Sequence, residues 1–526
     1  MNKLRIKNLR SLVDTGEIEL KPLTVLVGKN SSGKSTFLRY FPLMKQTLET
    51  RTNEPILWYS RFVDFGSYNE SLNSKNKNGM MSFEFEFTLP ESVFYREVLR
   101  RYYIRPIARE MIDSNNNLCF NLKIFFSEKI IEKIIINFED HVIKIDIKNK
   151  EKTMIVNINE SEKELNIFSP HYSIGSVNFL PNLLLKESFN MGHTEQFFKT
   201  NLIKKIQKLA NNRTGENTIE QVINNFLIGS SNKIFKSIKC QEPQAQKLKR
   251  NLHKIEIDDS VFREIKHDLI GMYLNPIINV CNRYLELNFS NVKYIAPLRA
   301  SAERYYRYQG LSVDELDPQG TNLTMMLNNM TNKEKQIFNA WIKSNFGFEL
   351  HTFTQGGHTS LKIKFDDNTD LINLADTGFG YSQVLPIILV LWKASQNNIK
   401  NSRHRHPIGL REAYYNSTLT VVIEQPELHL HPALQAKLMD AFLLLIMISK
   451  KEGLDLKIII ETHSETMLNR IGYQIAKNKY KFNNDFVNIL IFNKVDTYES
   501  QIESTSYTSS GKLASWPIGF FSPEDC

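Results

Sequence analysis

The sequence predicts an α/β protein whose phosphate-binding fold is interrupted by a long insertion. Three observations carry that expectation. Gly28-Lys29-Asn30-Ser31-Ser32-Gly33-Lys34-Ser35 fits the pattern G-x-x-x-x-G-K-[ST], between the apolar run Leu23-Thr24-Val25-Leu26-Val27 and the helix-like run Thr36-Phe37-Leu38-Arg39-Tyr40. Far downstream, two more apolar strands end on acidic residues. Leu419-Thr420-Val421-Val422-Ile423 leads into Glu424-Gln425-Pro426-Glu427, and Leu456-Lys457-Ile458-Ile459-Ile460 into Glu461-Thr462-His463-Ser464. Between the two ends the hydrophobic period changes from strand-like to helix-like and back.

Residues 1–75 read as the N-terminal part of a nucleotide-binding head, opening on the alternation of Leu4, Ile6 and Leu9. Residues 76–290 form the insertion. Its part from 80 to 168 is β-rich, with period-2 segments such as Phe83-Glu84-Phe85-Glu86-Phe87 and Val142-Ile143-Lys144-Ile145-Asp146-Ile147. From 194 to 286 the period lengthens: Phe197, Leu202, Ile203, Ile206 and Leu209 mark one helix, and Ile219, Val222, Ile223 and Phe226 another. No heptad run long enough for a coiled-coil arm is present. Residues 291–526 return to mixed α/β and supply the C-terminal part of the head.

Bulk properties narrow the class. A chain of 526 residues is too long for one ordinary core, so two or three domains are expected. Hydrophobic content of 41% and charged content of 23% are ordinary for a soluble globular protein. Met1-Asn2-Lys3-Leu4-Arg5-Ile6 reads as a strand rather than a signal peptide, and the apolar stretch from Leu385 to Trp392 is too short to cross a bilayer. Cys119, Cys240, Cys281 and Cys526 are scattered, without metal-ligand or redox spacing. The expectation is a cytoplasmic protein with reduced thiols and no membrane association. A net charge of +9 permits nucleic-acid contact through phosphates, and the lysine and arginine series from Lys199 to Arg250 reads either as solvated helix faces or as such a surface.

The loop residues point to ATP with Mg²⁺. Successive backbone amides of such a turn cradle phosphate oxygens at the positive end of the following helix. Gly28, Asn30, Ser31, Gly33, Lys34, Ser35 and Thr36 are therefore the cofactor-binding candidates. Lys34 is placed to bridge the β- and γ-phosphates, and the Ser35 hydroxyl to sit on Mg²⁺. Glu424, closing a buried strand, is the second metal candidate, on the magnesium side directly or through water; the alternative is an acidic helix cap. His463 closes the next strand and is a candidate γ-phosphate sensor, against the plainer reading of an ordinary histidine.

These motifs resemble the RecF/SMC-type branch of ABC ATPases. The resemblance rests on the loop, on Glu424-Gln425-Pro426-Glu427-Leu428-His429-Leu430-His431-Pro432, on Glu461 to Ser464, and on Leu374 to Gln383 as a signature-like segment. It implies an α/β, ABC-type (RecF/SMC-like) ATPase head split by a β-rich plus α-helical insertion. It also implies that ATP joins two heads, with Thr377, Gly378, Gly380 and Ser382 reaching the γ-phosphate held by the other copy; which hydroxyl stands for the signature serine is left open. The opening Asn8-Leu9-Arg10-Ser11 and the ending Trp516-Pro517-Ile518-Gly519-Phe520-Phe521 are similar to those of PtuA-type ATPases of Septu antiphage systems, also carried by some retrons. That likeness adds Arg10 to the cofactor-binding candidates. It implies a homodimer or higher oligomer, a separately encoded HNH nuclease partner of PtuB type, and in the retron setting a reverse transcriptase and multicopy single-stranded DNA.

One position departs from the branch. The general-base glutamate usually follows the magnesium carboxylate directly, and here Gln425 holds that place. Either Glu427 takes the role, or hydrolysis is slow and ATP serves as a dimer clamp. The catalytic candidates are thus Glu424, Gln425, Glu427 and His463. No Asp-x-Asp pair follows His463, so no nuclease site in cis is expected. The rival readings are a RecF-like DNA-repair ATPase and a nearly inert ATP-bound scaffold.

Overall fold

The computed structural model describes the chain except residues 51, 53, 99–115, 149–152, 160, 167–178, 182, 184–193, 312, 366–369, 404–417, 479–480 and 516–526. The ending Trp516 to Phe521 therefore lies outside the described residues. The chain divides into two compact units. One comprises Met1–Lys7, Thr47–Leu57 and Asn78–Glu286; the other comprises Asn8–Gln46, Trp58–Lys77 and Leu287–Cys526.

In the first unit the period-2 segments form an antiparallel sheet. Its strands lie in the order Ser161–Asn166, Thr153–Ile158, His141–Lys148, Ile131–Phe138, Asn117–Phe126, Met81–Pro90 and Lys3–Leu9. Alternation decides which face is covered: His141, Ile143, Ile145 and Ile147 are buried while Val142 and Lys144 are exposed. Register aligns the apolar rows, with Ile145 opposite Ile134 on one side and Val156 on the other. Such a row is stable in one register only, because a slip of one residue would turn every isoleucine to water. Each fully buried isoleucine contributes about 1.5–3 kcal/mol of transfer free energy.

Helices of the same unit follow the expected lengthening of the period. In Thr194–Leu209, Phe198, Leu202 and Ile206 recur every fourth residue and are buried. Helix Ser260–Met272 packs closely on it. A Cβ on Gly271 would come within 2.4 Å of the Phe198 ring, so only glycine admits that ring.

The second unit is built on a parallel sheet in the order Val292–Ile295, Thr418–Glu424, Asp455–Glu461, Leu23–Gly28 and Val487–Lys494, with Ser500–Thr505 antiparallel at the edge. All six residues of Leu23–Gly28 are buried, as expected of a strand covered on both faces. Parallel pairing brings Gly28, Glu424 and Glu461 to the same edge, where the carboxyl ends of the strands gather. A smaller antiparallel sheet joins Tyr306–Arg307, His358–Lys364, Glu349–Gln355 and Ile372–Asn373.

Among the described residues one helix, Pro432–Lys451, is long and apolar enough to cross a membrane. It is longer than the Leu385 to Trp392 stretch singled out in the sequence. Its Leu438, Met439, Phe442 and Ile446 lie in the buried core of this unit, which accounts for its composition by packing.

Candidate nucleotide-binding site

The glycine loop is shaped by close approaches. Gly28 adopts φ +152°, and a Cβ there would meet the Phe492 carbonyl at 2.4 Å. Gly33 adopts φ +91°, and a Cβ there would meet the Ser11 and Ser500 hydroxyls at 2.7 and 3.1 Å. Ser31 carries a left-handed φ of +58°. Lys29, Asn30 and Ser31 are exposed at the tip, Ser32 is buried with its hydroxyl unpartnered among the described residues, and helix Lys34–Glu49 starts the next turn with Thr36 half-buried.

Lys34 points back under the loop. Its ammonium donates to the carbonyls of Gly28 (3.0 Å) and Lys29 (2.8 Å) and stands 3.9 Å from Glu461. Burial lowers its pKa, and the Glu461 charge opposes that shift. The Ser35 hydroxyl donates to the Glu461 carboxylate at 2.8 Å. Glu461 in turn has its pKa raised, first by burial and then against the Ser35 hydrogen bond.

Glu424 stands beside Glu461 in register but has other partners. Arg39 donates to it twice, at 2.8 and 2.9 Å, and the Tyr294 hydroxyl at 2.5 Å. The hydrogen bond to Glu424 raises the Arg39 pKa, while burial, foremost, raises that of Tyr294. Of the two residues expected on the metal, Ser35 thus meets Glu461, and Glu424 is held by Arg39. Glu461, Arg39 and Tyr294 were not among the sequence candidates. A signal for Arg39 existed, because it follows Ser35 by four residues and so shares its helix face.

The turn after Glu424 carries the hydrolytic candidates. Gln425 has a left-handed φ of +43° and donates its amide to the Glu461 carbonyl at 2.9 Å. Glu427 accepts the His463 amide at 2.7 Å, and burial raises its pKa above the usual carboxylate range. His463 is half-buried; burial and the neighbouring Lys34 charge lower its pKa, which favours the neutral imidazole. Beneath the turn lies Arg299, 5% exposed, whose Nη2 donates to the carbonyls of Glu424 (2.7 Å) and Gln425 (3.2 Å). Burial pushes its pKa down to about 10, against the charges of Glu427 and Glu424.

The signature-like segment lies at the start of helix Phe379–Arg403. Thr377 donates its hydroxyl to the Leu374 carbonyl and Ser382 to the Phe379 carbonyl, both at 2.8 Å. Gly378 adopts φ +81°, and a Cβ on Gly380 would meet the His429 carbonyl at 2.9 Å. The segment therefore packs on the turn that follows Glu424, with the Phe379 ring exposed and 6.0 Å from His429. Outside its own turn the segment is tied to residues 299–304: Arg304 donates to Asp376 at 2.6 Å, and Gln383 donates its side-chain amide to the Arg299 carbonyl at 3.0 Å. Arg10, φ +49°, lays its guanidinium 4.5 Å above Phe65, and its pKa is lowered by burial and then by Arg39.

A glycine loop on a central parallel strand, with a buried lysine under it and a serine–glutamate pair beside it, defines a phosphate-loop nucleotide-binding protein. The model of the AAA ATPase domain family matches residues 1–468, and the chain belongs to that family. The protein is an ATPase whose phosphate loop sits on a mainly parallel sheet flanked by helices, the α/β architecture expected from the sequence. Among solved structures it is similar to an SMC head bound to the C-winged helix domain of ScpA, at 9% identity and TM-score 0.32, covering 96% of this chain and 97% of that one. It is also similar to the SMC head domain from Thermotoga maritima (9% identity, TM-score 0.33, 95% and 97% covered). A third is the recombination mediator RecF with ATPrS (10% identity, TM-score 0.22, 95% and 97% covered). No curated protein matches the chain.

The donor set fits the expected groups. Gly28 and Gly33 let the loop fold tightly against Phe492, Ser11 and Ser500, and the buried Ser32 hydroxyl, without a partner among the described residues, is an orphaned polar group of that loop. Ser35 and Glu461 present hard oxygen donors of the kind Mg²⁺ takes.

Proposed function

We propose that this ATPase is an ATP-gated clamp with slow turnover, which controls a separate HNH nuclease in antiphage defence of the Septu or retron kind. The observation that carries the reading is the turn after Glu424. Gln425 occupies the place next to the strand-end carboxylate, and the next carboxylate in the turn is Glu427, which accepts the His463 amide. A glutamine cannot take a proton from water, so the task falls to a displaced base whose pKa burial has raised toward the operating pH.

Lys34 and the loop amides would hold the β- and γ-phosphates, and Ser35 with Glu461 would hold Mg²⁺. Bound there, Mg²⁺ neutralises phosphate charge. Glu424 keeps Arg39 beside the site, Glu427 accepts the proton of the attacking water, and neutral His463 donates a hydrogen bond to the γ-phosphate. Thr377, Gly378, Gly380 and Ser382 reach the phosphate from a second copy, so that ATP closes two heads in a homodimer or a higher oligomer. Residues 76–290 form the arm that this closure repositions. The nuclease, the reverse transcriptase and multicopy DNA of a retron, and a cytoplasmic setting belong to the same reading, which places no nuclease site in this chain.

Light scattering and phosphate release test it together. ATP with Mg²⁺ is expected to double the mass of the wild type and not of Lys34→Ala, with turnover well below the ~10 s⁻¹ of a median enzyme. Rapid turnover untouched by Glu427→Gln would sink the clamp. The net charge of +9 supports a second reading, a RecF-like DNA-repair ATPase. Strong stimulation of turnover by DNA alone would favour it.

A further inference from the structure

The first unit holds a cavity of about 830 Å³ unrelated to the glycine loop. It is lined by Ile158, Asn159, Ser161 and Lys163 from the turn between two antiparallel strands, by Lys205 from helix Thr194–Leu209, and by Arg263, Glu264, Lys266 and His267 from helix Ser260–Met272. Strand alternation puts Ser161 and Lys163 on one face. Among the described residues, four cationic side chains therefore line the space against one carboxylate.

The carboxylates nearby are already engaged. Lys205 pairs with Asp268 at 2.8 Å and with Glu264 at 3.4 Å. Lys266 donates to the Ser231 hydroxyl at 3.0 Å. Arg263 and Lys163 are exposed and have no ion-pair partner among the described residues.

A second observation points to a ligand. His267 is 7% exposed, with Nδ1 3.0 Å from the Asp268 carboxylate, and its Nε2 has no hydrogen-bond partner among the described residues. A buried polar nitrogen on a cavity wall is costly unless something pairs with it. Four cations against Glu264 and Asp268 leave an excess of positive charge, which phosphate oxygens satisfy.

We infer that this cavity is a second phosphate-recognising site, taking a phosphoryl group carried on a ligand of nucleotide size. Its volume lies in the range that holds such ligands, and Asn159 and Ser161 add neutral polar contacts at the strand turn. A free mononucleotide and the 5′-phosphorylated end of a nucleic-acid strand present the same chemistry. The site does not depend on the clamp reading, because none of its residues lies in the ATP loop.

The test uses full-length Lys34→Ala protein, which disables the glycine loop. Its probes are fluorescent AMP, a fluorescent 5′-phosphorylated oligothymidine, and the same strand without the phosphate, read by anisotropy at low salt. At least one phosphorylated probe is expected to bind, to be displaced by inorganic phosphate, and to weaken about tenfold or more in Lys163→Glu/Arg263→Glu. Both of those positions are exposed, and circular dichroism verifies the fold. If that double variant melts early, Lys163→Ala is read in its place. Tighter binding of AMP assigns a free nucleotide; preference for the phosphorylated over the unphosphorylated strand assigns a strand end. Absence of binding by every probe, indifference to the 5′-phosphate and to inorganic phosphate, or equal binding by the variants overturns the site. Clamp closure by the wild type would stand in each of those cases.

Discussion

Strands Thr418–Glu424 and Asp455–Glu461 run side by side and end on glutamates directly opposite each other, yet the two carboxylates serve different neighbours. Glu461 sits next to the glycine-loop strand and takes the Ser35 hydroxyl, with Lys34 3.9 Å away. Glu424, one strand further out, is clasped by Arg39 and Tyr294. The same side chain at equivalent strand ends thus meets the loop serine in one case and an arginine and a tyrosine in the other. Distance from the loop strand makes the difference, and strand order sets that distance.

The largest effect is expected on the Glu461 side. Lys34→Ala should weaken ATP binding by roughly a thousandfold, as loss of a buried charged partner costs about 2–5 kcal/mol, read by titration calorimetry. Glu427→Gln comes next, with a loss of about a hundredfold in turnover if Glu427 is the base. The pH profile gives the sign. The carboxylate is the active form and burial raises its pKa, so turnover should fall with acid at a higher pH than an ordinary glutamate would give, and that limb should vanish in the variant.

On the Glu424 side the effect should appear in stability. Glu424→Gln leaves the Arg39 guanidinium without its carboxylate; since Arg39 is 35% exposed, water offsets part of the loss and about 2 kcal/mol is expected from the denaturation midpoint. Glu461→Gln should cost less stability. The smallest effect is a gain: Gln425→Glu restores a carboxylate next to Glu424 and should raise turnover about tenfold without changing ATP affinity. No gain would mean that the left-handed backbone at φ +43° aims the side chain away from the attacking water.

Much of this was legible in the sequence. The strand–loop–helix around Gly28 to Ser35 declared itself because glycine, lysine and serine are each required there by a different phosphate contact. The isoleucine alternation of residues 141 to 148 announced a half-wet strand, since the period of 2 is local. The different partners of Glu424 and Glu461 were not legible. Both end apolar parallel strands, and nothing local tells which strand neighbours Leu23–Gly28. Arg299 escaped for a similar reason. Its burial under the turn after Glu424 depends on contacts across 125 residues. The core helix Pro432–Lys451 was obscured because its buried face and its exposed apolar residues blur the usual period.

The most direct test is the Mg²⁺ dependence of ATP binding in Glu461→Gln and Glu424→Gln, measured by titrating each with ATP with and without the metal. Loss of the Mg²⁺ enhancement in Glu461→Gln, with the enhancement kept in Glu424→Gln, is the predicted result. The reverse pattern would contradict the assignment of Glu461, with Ser35, to the metal side of the site.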